Sequence, residues 1–154
     1  MPRAETVAVR VAIARLPGAG DLPLPAYATE GSVGCDLHAS VAGEQVLAPG
    51  ERALIATGVR IALSPGYEAQ VRPRSGLALE HGIMLPNAPG TVDSDYRGEL
   101  KVIVWNSGSE PYVIRRGDRI AQLVVAPVTQ VEWDEQPDLD ATRRGPGGFG
   151  HTGD

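Results

Sequence analysis

A chain of 154 residues and 16.2 kDa is the size of one ordinary domain, and an apolar fraction of 42% is enough for a real core. A net charge of −5 argues against a protein that coats nucleic acid, which carries a basic footprint, but it leaves room for a mononucleotide held by a few local cations. No run reaches the roughly 20 apolar residues of a membrane span. The one cysteine, Cys35, excludes an internal disulfide and fits a reducing compartment.

Nineteen glycines and thirteen prolines spread along the chain describe many short elements joined by turns, which points to an all-β domain. Residues 7, 9, 11 and 13 are β-branched while 8, 10 and 12 are Ala, Arg and Ala, a period of two that predicts a strand over 7–13. Arg10 and Arg15 interrupt this stretch, so it makes a poor signal-peptide core, and the expectation is a cytoplasmic protein beginning near Met1. Further strands are predicted over 34–40, 52–57, 59–63, 67–73, 100–105, 112–114 and 120–127, with turns at Pro49-Gly50, Ser64-Pro65-Gly66, Asn106-Ser107-Gly108 and Arg116-Gly117-Asp118. The one predicted helix is short, 75–80, and starts just after Pro73. At Asp134 the composition shifts, and beyond it only Leu139, Ala141 and Phe149 are apolar. The organisation expected is a β-domain over 1–133 and a flexible arm over 134–154, acidic first and then basic and glycine-rich.

Five stretches carry chemistry. Gly31-Ser32-Val33-Gly34-Cys35-Asp36-Leu37 puts Asp36 at a strand start after a flexible turn, with Cys35 read as a small buried hydrophobe. Pro73-Arg74-Ser75-Gly76-Leu77 offers a guanidinium, a hydroxyl and an unobstructed N–H where a helix begins; it is either an anion site or plain N-capping by Ser75. From Asn87 to Glu99, Pro89-Gly90 permits a tight hairpin. Asp93 and Asp95 would share a face of an extended chain, with Tyr96 beside them; the alternative is a solvated turn. Gln122 is polar within an apolar strand, so it either anchors the fold or faces a ligand. The only phenylalanine, Phe149, lies in a stretch with five glycines in nine residues, behind Arg143 and Arg144. Such a tail is either disordered or closes over a nucleotide, with arginine for phosphate and the ring for a base.

In order, Gly34-Cys35-Asp36-Leu37, Pro73-Arg74-Ser75-Gly76, Gly90-Thr91-Val92-Asp93 through Tyr96-Arg97-Gly98, Gly117-Asp118-Arg119-Ile120-Ala121-Gln122 and Arg144-Gly145-Pro146-Gly147-Gly148-Phe149-Gly150 resemble the five motifs of the trimeric dUTPase family. The resemblance implies a jelly-roll-like β-barrel, a homotrimer whose active sites are shared between subunits, and hydrolysis of dUTP to dUMP and pyrophosphate with Mg²⁺. It matches Asp93 to the aspartate that holds the attacking water, and a carboxylate ionised at neutral pH can orient and deprotonate water. Arg74, Ser75, Gly76 and Gln122 match phosphate contacts, and Arg144 the tail arginine near the terminal phosphate. Thr91 and Val92 fall in the hairpin whose backbone largely reads uracil, and Asn87 matches a side chain that contacts the base. Tyr96 matches the ring that packs on deoxyribose and excludes a ribose 2′-OH, and Phe149, followed by Gly150, the ring that stacks on uracil. Metal contact is expected through substrate phosphates and water, with Asp36 as a candidate acceptor for one such water. Nucleic acid and membrane are not expected partners. Two departures stand out: His151 where the family more often has serine, with Thr152 beside it, and Cys35 where an aromatic is common.

Three rivals remain at this level. A deoxycytidine triphosphate deaminase of the same superfold would need a general acid/base at C4 of cytosine. A non-catalytic nucleotide-binding module would be expected to lack Asp93, Arg74 or Gln122, and a plain β-barrel interaction protein leaves Phe149 and the arginine pair unexplained.

Overall fold

A computed structural model describes residues 8–151, with strands β1 (Ala12–Arg15), β2 (Ala26–Tyr27), β3 (Cys35–His38), β4 (Glu44–Leu47), β5 (Arg52–Ala56), β6 (Val59–Ala62), β7 (Tyr67–Arg72), β8 (Ile83–Met84), β9 (Gly90–Val92), β10 (Lys101–Asn106), β11 (Tyr112–Arg115) and β12 (Arg119–Pro127). A single helix, α1 (Ser75–His81), lies between β7 and β8. All strand pairs are antiparallel, in four small sheets ordered β1-β6, β5-β10-β8, β11-β4 and β2-β3-β12-β7-β9. Their inner faces enclose one apolar core, with Leu37, Ile55, Ile83, Leu100, Ile114 and Ile120 almost wholly buried. This is a jelly-roll-like β-barrel, the all-β class with one short helix that the sequence predicts.

The first predicted strand needs correction. Val7 lies outside the described residues and 8–11 are not strand; the ladder is Ala12–Arg15, because its partner β6 spans only Val59–Ala62. Val11 packs against the core, but Ile13, on the same face by the period of two, is an exposed side chain within the ladder. Four strands went unpredicted. β2 and β8 are two residues long, β9 follows a proline, and β4 is four residues with only Leu47 buried, held by its pairing with β11.

Two buried polar side chains tie the barrel together. Asn106 donates through Nδ2 to the carbonyls of Leu47 (2.9 Å) and Glu110 (2.8 Å) and accepts from the Gly108 N–H (2.9 Å), so its amide is fully satisfied out of water. Thr57 donates to the Leu100 carbonyl at 2.6 Å. Strand β12 is central to the site: it pairs with β3 on one side and β7 on the other, so Gln122 stands opposite Asp36 and Arg72 at once. No helix among the described residues is long and apolar enough to cross a membrane.

Candidate active site

Strand β7 runs out at Arg72 and the chain turns through Pro73 into α1. Arg74 occupies the N-cap position in an extended conformation (φ −97°, ψ 127°) and makes no side-chain capping bond. Ser75 is therefore the first helical residue and not the cap, so the capping alternative falls. Its exposed hydroxyl and the open space around Gly76 leave this corner free for an anion.

Arg74 is oriented by Asp36. Its Nε donates to Asp36 Oδ1 at 3.1 Å, and its Nη1 lies 3.4 Å from the Arg119 carbonyl. Arg119 in turn donates through Nη1 to Asp36 Oδ2 at 3.3 Å. One carboxylate, 16% exposed, thus stands between two guanidinium groups, a local excess of positive charge suited to phosphate. Gln122 secures the same loop by donating through Nε2 to the Pro73 carbonyl at 2.9 Å. A Cβ on Gly34 would fall against the Gln122 side chain, 3.1 Å from Cδ and nearer still to Oε1, so glycine is needed for the amide to lie there. Ser32, Gly34, Asp36, Arg74, Ser75, Gly76 and Gln122 line a depression of about 310 Å³. Beside it, burial pushes the His38 imidazole below the usual histidine range, with Asp36 opposing and Arg119 and Arg74 reinforcing the shift. His38 Nδ1 has no hydrogen-bond partner.

A second depression, about 300 Å³, is lined by Asn87, Gly90, Thr91, Val92, Asp93, Tyr96 and Glu99 over an apolar floor that includes Leu54, Val71, Leu85 and Ile103. The expected hairpin is not a closed one: β9 pairs with β7, and the chain then turns, the Tyr96 N–H donating to the Asp93 carbonyl at 3.2 Å. Asp93 and Asp95 consequently do not share the face of an extended strand. Arg97 fastens the turn through Nη1 to the carbonyls of Ser94 (2.6 Å) and Tyr96 (2.9 Å). Asp93 is exposed at the rim, and Val92 fixes the preceding residue by burying its side chain.

The two depressions have no lining residue in common, and no residue after Gln122 lines either. The arm stays apart from both. Arg144 Nε donates to the Gly147 carbonyl (2.8 Å), and Phe149, with φ +51°, is wholly exposed. Gly150 and His151 follow it, and Thr152 lies outside the described residues. Cys35 is partly buried and free. Gly34, Arg119, Gly98 and Glu99 carry structural work at the site that their residue types did not reveal. Their sequence signal was position: Gly34, Gly98 and Arg119 lie within the quoted motifs, and Glu99 ends the stretch from Asn87.

A depression that holds the Asp36-bound Arg74 with Ser75 and Gly76 at a helix start, and a second with a carboxylate and an aromatic ring, suit a nucleotide-handling β-barrel. Comparison with known proteins makes the class particular. The dUTPase family profile matches residues 21–153. The deoxyuridine 5′-triphosphate nucleotidohydrolase of Anaplasma marginale is 57% identical over 145 residues, covering 94% of this chain and 99% of that protein. Its counterpart in Caldanaerobacter subterraneus subsp. tengcongensis is 57% identical over 141 residues, covering 92% and 95%. Among solved structures, the Staphylococcus bacteriophage 80alpha dUTPase G164S mutant with dUpNHpp superposes with a TM-score of 0.84 at 23% identity, covering 95% of this chain and 99% of that one. A phage phi11 dUTPase D95N mutant, described with a structural Mg(II) ion, gives a TM-score of 0.76 at 21% identity, covering 86% and 100%. The chain belongs to the dUTPase family of hydrolases.

Proposed function

We propose that this protein hydrolyses dUTP to dUMP and pyrophosphate in a Mg²⁺-dependent reaction, with Asp93 orienting the water that attacks the α-phosphorus. The observation that carries the reading is the sorting of its residues. Arg74, Ser75, Gly76 and Gln122 gather in one depression, and Asn87, Thr91, Val92, Asp93 and Tyr96 in the other. The first has the Arg74 guanidinium, the Ser75 hydroxyl and the N–H groups of a helix start for phosphate. The second has a carboxylate, a ring and an apolar floor for base and sugar. A site closed between copies of the chain would bring the two halves onto one substrate, in a homotrimer where the arm of a further copy brings Arg144 and Phe149.

Among the described residues no three His, Cys, Asp or Glu side chains converge, so the donor set suits an ion carried by substrate oxygens and water. Bound in that way, Mg²⁺ would neutralise charge on the triphosphate and the departing pyrophosphate. Asp36, with an oxygen on each of two arginines, would have to share itself with any such water. The reaction would supply dUMP for thymidylate synthesis, and by consuming dUTP it would keep uracil out of DNA. A cytoplasmic location, checked by cell fractionation, fits the lone free thiol.

The test is pyrophosphate release from dUTP, dCTP, TTP and UTP, each with Mg²⁺ and with chelator. Release from dUTP alone, abolished by chelation, is expected. Ammonia from dCTP would return the deaminase reading, and no reaction at all would leave a nucleotide-binding module.

A further inference from the structure

We infer that Gly98 and Glu99 set the position of the Tyr96 ring and thereby determine how strongly the enzyme distinguishes a deoxyribonucleotide from a ribonucleotide. The inference rests on the reading of Tyr96 as the ring that packs on the sugar. Tyr96 is 45% exposed, so packing alone does not fix it; what holds it is local. Its hydroxyl donates to the Glu99 carbonyl at 2.9 Å, folding the ring back over the intervening residues. A Cβ on Gly98 would lie 2.6 Å from the ring Cζ and 3.0 Å from Cε2, and closer still to the hydroxyl oxygen. Gly98 is not in the left-handed region, so no positive φ calls for glycine there. The ring is what requires glycine there.

Glu99 is itself clamped. Its Oε1 accepts from the Gly58 N–H at 2.9 Å, its Oε2 lies 3.8 Å from Lys101 Nζ, and its side chain is 17% exposed. The next residue is held to the same β5–β6 turn, Leu100 donating its N–H to Val59 (2.8 Å) and accepting from Thr57 (2.6 Å). The barrel therefore fixes the Glu99 carbonyl, the carbonyl fixes the hydroxyl, and bare Gly98 leaves space for the ring between them. A sugar pocket discriminates by filling the volume a 2′-OH would need, so a ring moved outward by about 1 Å loses that exclusion while the barrel is untouched.

The experiment compares kcat/KM for dUTP and for UTP in Gly98→Ala, Glu99→Ala, Glu99→Gln, Tyr96→Ala and the Tyr96→Ala/Gly98→Ala pair, alongside Tm. Gly98→Ala should lower the dUTP:UTP ratio by about tenfold or more, with Tm within about 2 °C of wild type, because an exposed ring swings away at little cost. Glu99→Ala should lower the ratio in the same direction. Glu99→Gln, which keeps an oxygen for the Gly58 N–H, should recover most of it. In the Tyr96→Ala background Gly98→Ala should change nothing further. If Tyr96→Ala lowers the ratio and Gly98→Ala does not, the inference is overturned while the sugar reading stands. A ratio unmoved by Tyr96→Ala overturns both. A Gly98→Ala effect that persists without the ring shows that Gly98 acts by another route, and a Glu99→Ala variant equal to wild type removes Glu99.

Discussion

Asp36→Asn separates two uses of one carboxylate. Its oxygens accept from Arg74 at 3.1 Å and from Arg119 at 3.3 Å, with Asp36 itself only 16% exposed. Asparagine keeps one acceptor oxygen and turns its NH₂ toward the other guanidinium, so one charge-assisted bond is lost and one donor faces another. A hydrogen bond to a charged group contributes about 1.5–3 kcal/mol. Where the NH₂ faces Arg74, whose side chain is 26% exposed and whose bond of 3.1 Å is long for a charged pair, solvent discounts the loss to about 1–2 kcal/mol. If Arg74 must be held to meet the phosphates, that loss reads as roughly 5–30-fold in kcat/KM for dUTP. The assay is pyrophosphate release at varied dUTP and varied Mg²⁺, and the Mg²⁺ concentration for half-maximal rate should stay as in wild type. A kcat/KM within about twofold of wild type would refute the orienting role. A raised Mg²⁺ requirement with an unchanged KM at saturating metal would instead assign the carboxylate to a water on the ion.

Asp93→Asn should cost about 10²–10⁴ in kcat while nucleotide still binds by calorimetry, since the exposed side chain contributes little to the fold; an unchanged rate removes Asp93 from the chemistry. A chain ending at Thr142 should keep its thermal transition, because the arm is exposed and apart from both depressions, yet lose at least about 10²-fold in activity; full activity would make the arm a passive end. Asn106→Ala strands the Leu47 and Glu110 carbonyls and the Gly108 N–H, and about 3 kcal/mol of lost stability should lower Tm by roughly 6–12 °C in calorimetry. Acid should destabilise the protein in two windows, read by denaturant titration against pH. Burial lowers the His38 value from 6.5, so the unfolded chain takes the proton first and stability falls as pH drops below 6.5; His38→Asn should flatten that limb. The Arg116 side chain holds Asp21 at about 2 against 3.8, so its contribution is present above 3.8 and disappears toward pH 2, and Asp21→Asn should lose that dependence.

What could be read without a structure was whatever depends on local chemistry. Strand β12 was legible because an apolar run of that length has few alternatives, and α1 because Pro73 and Ser75-Gly76 mark a start. The five motifs were legible because their residue types and order are specific even when each is short. The two-residue strands β2 and β8 were not, since they exist only through pairing with β3 and β10. Nor was the shared use of Asp36: residues 36, 74 and 119 meet only because β12 lies beside β3 and the β7–α1 corner folds over both. The same holds for Gly34, whose lack of a side chain matters through Gln122, 88 positions along the sequence (122 − 34). Sequence by itself determined which groups are available, since charge, hydroxyl, ring and backbone freedom belong to the residue. Tertiary structure decided which of them face one another, because distance and burial, and so the strength of every polar contact at the site, arise only when separated strands are brought into register.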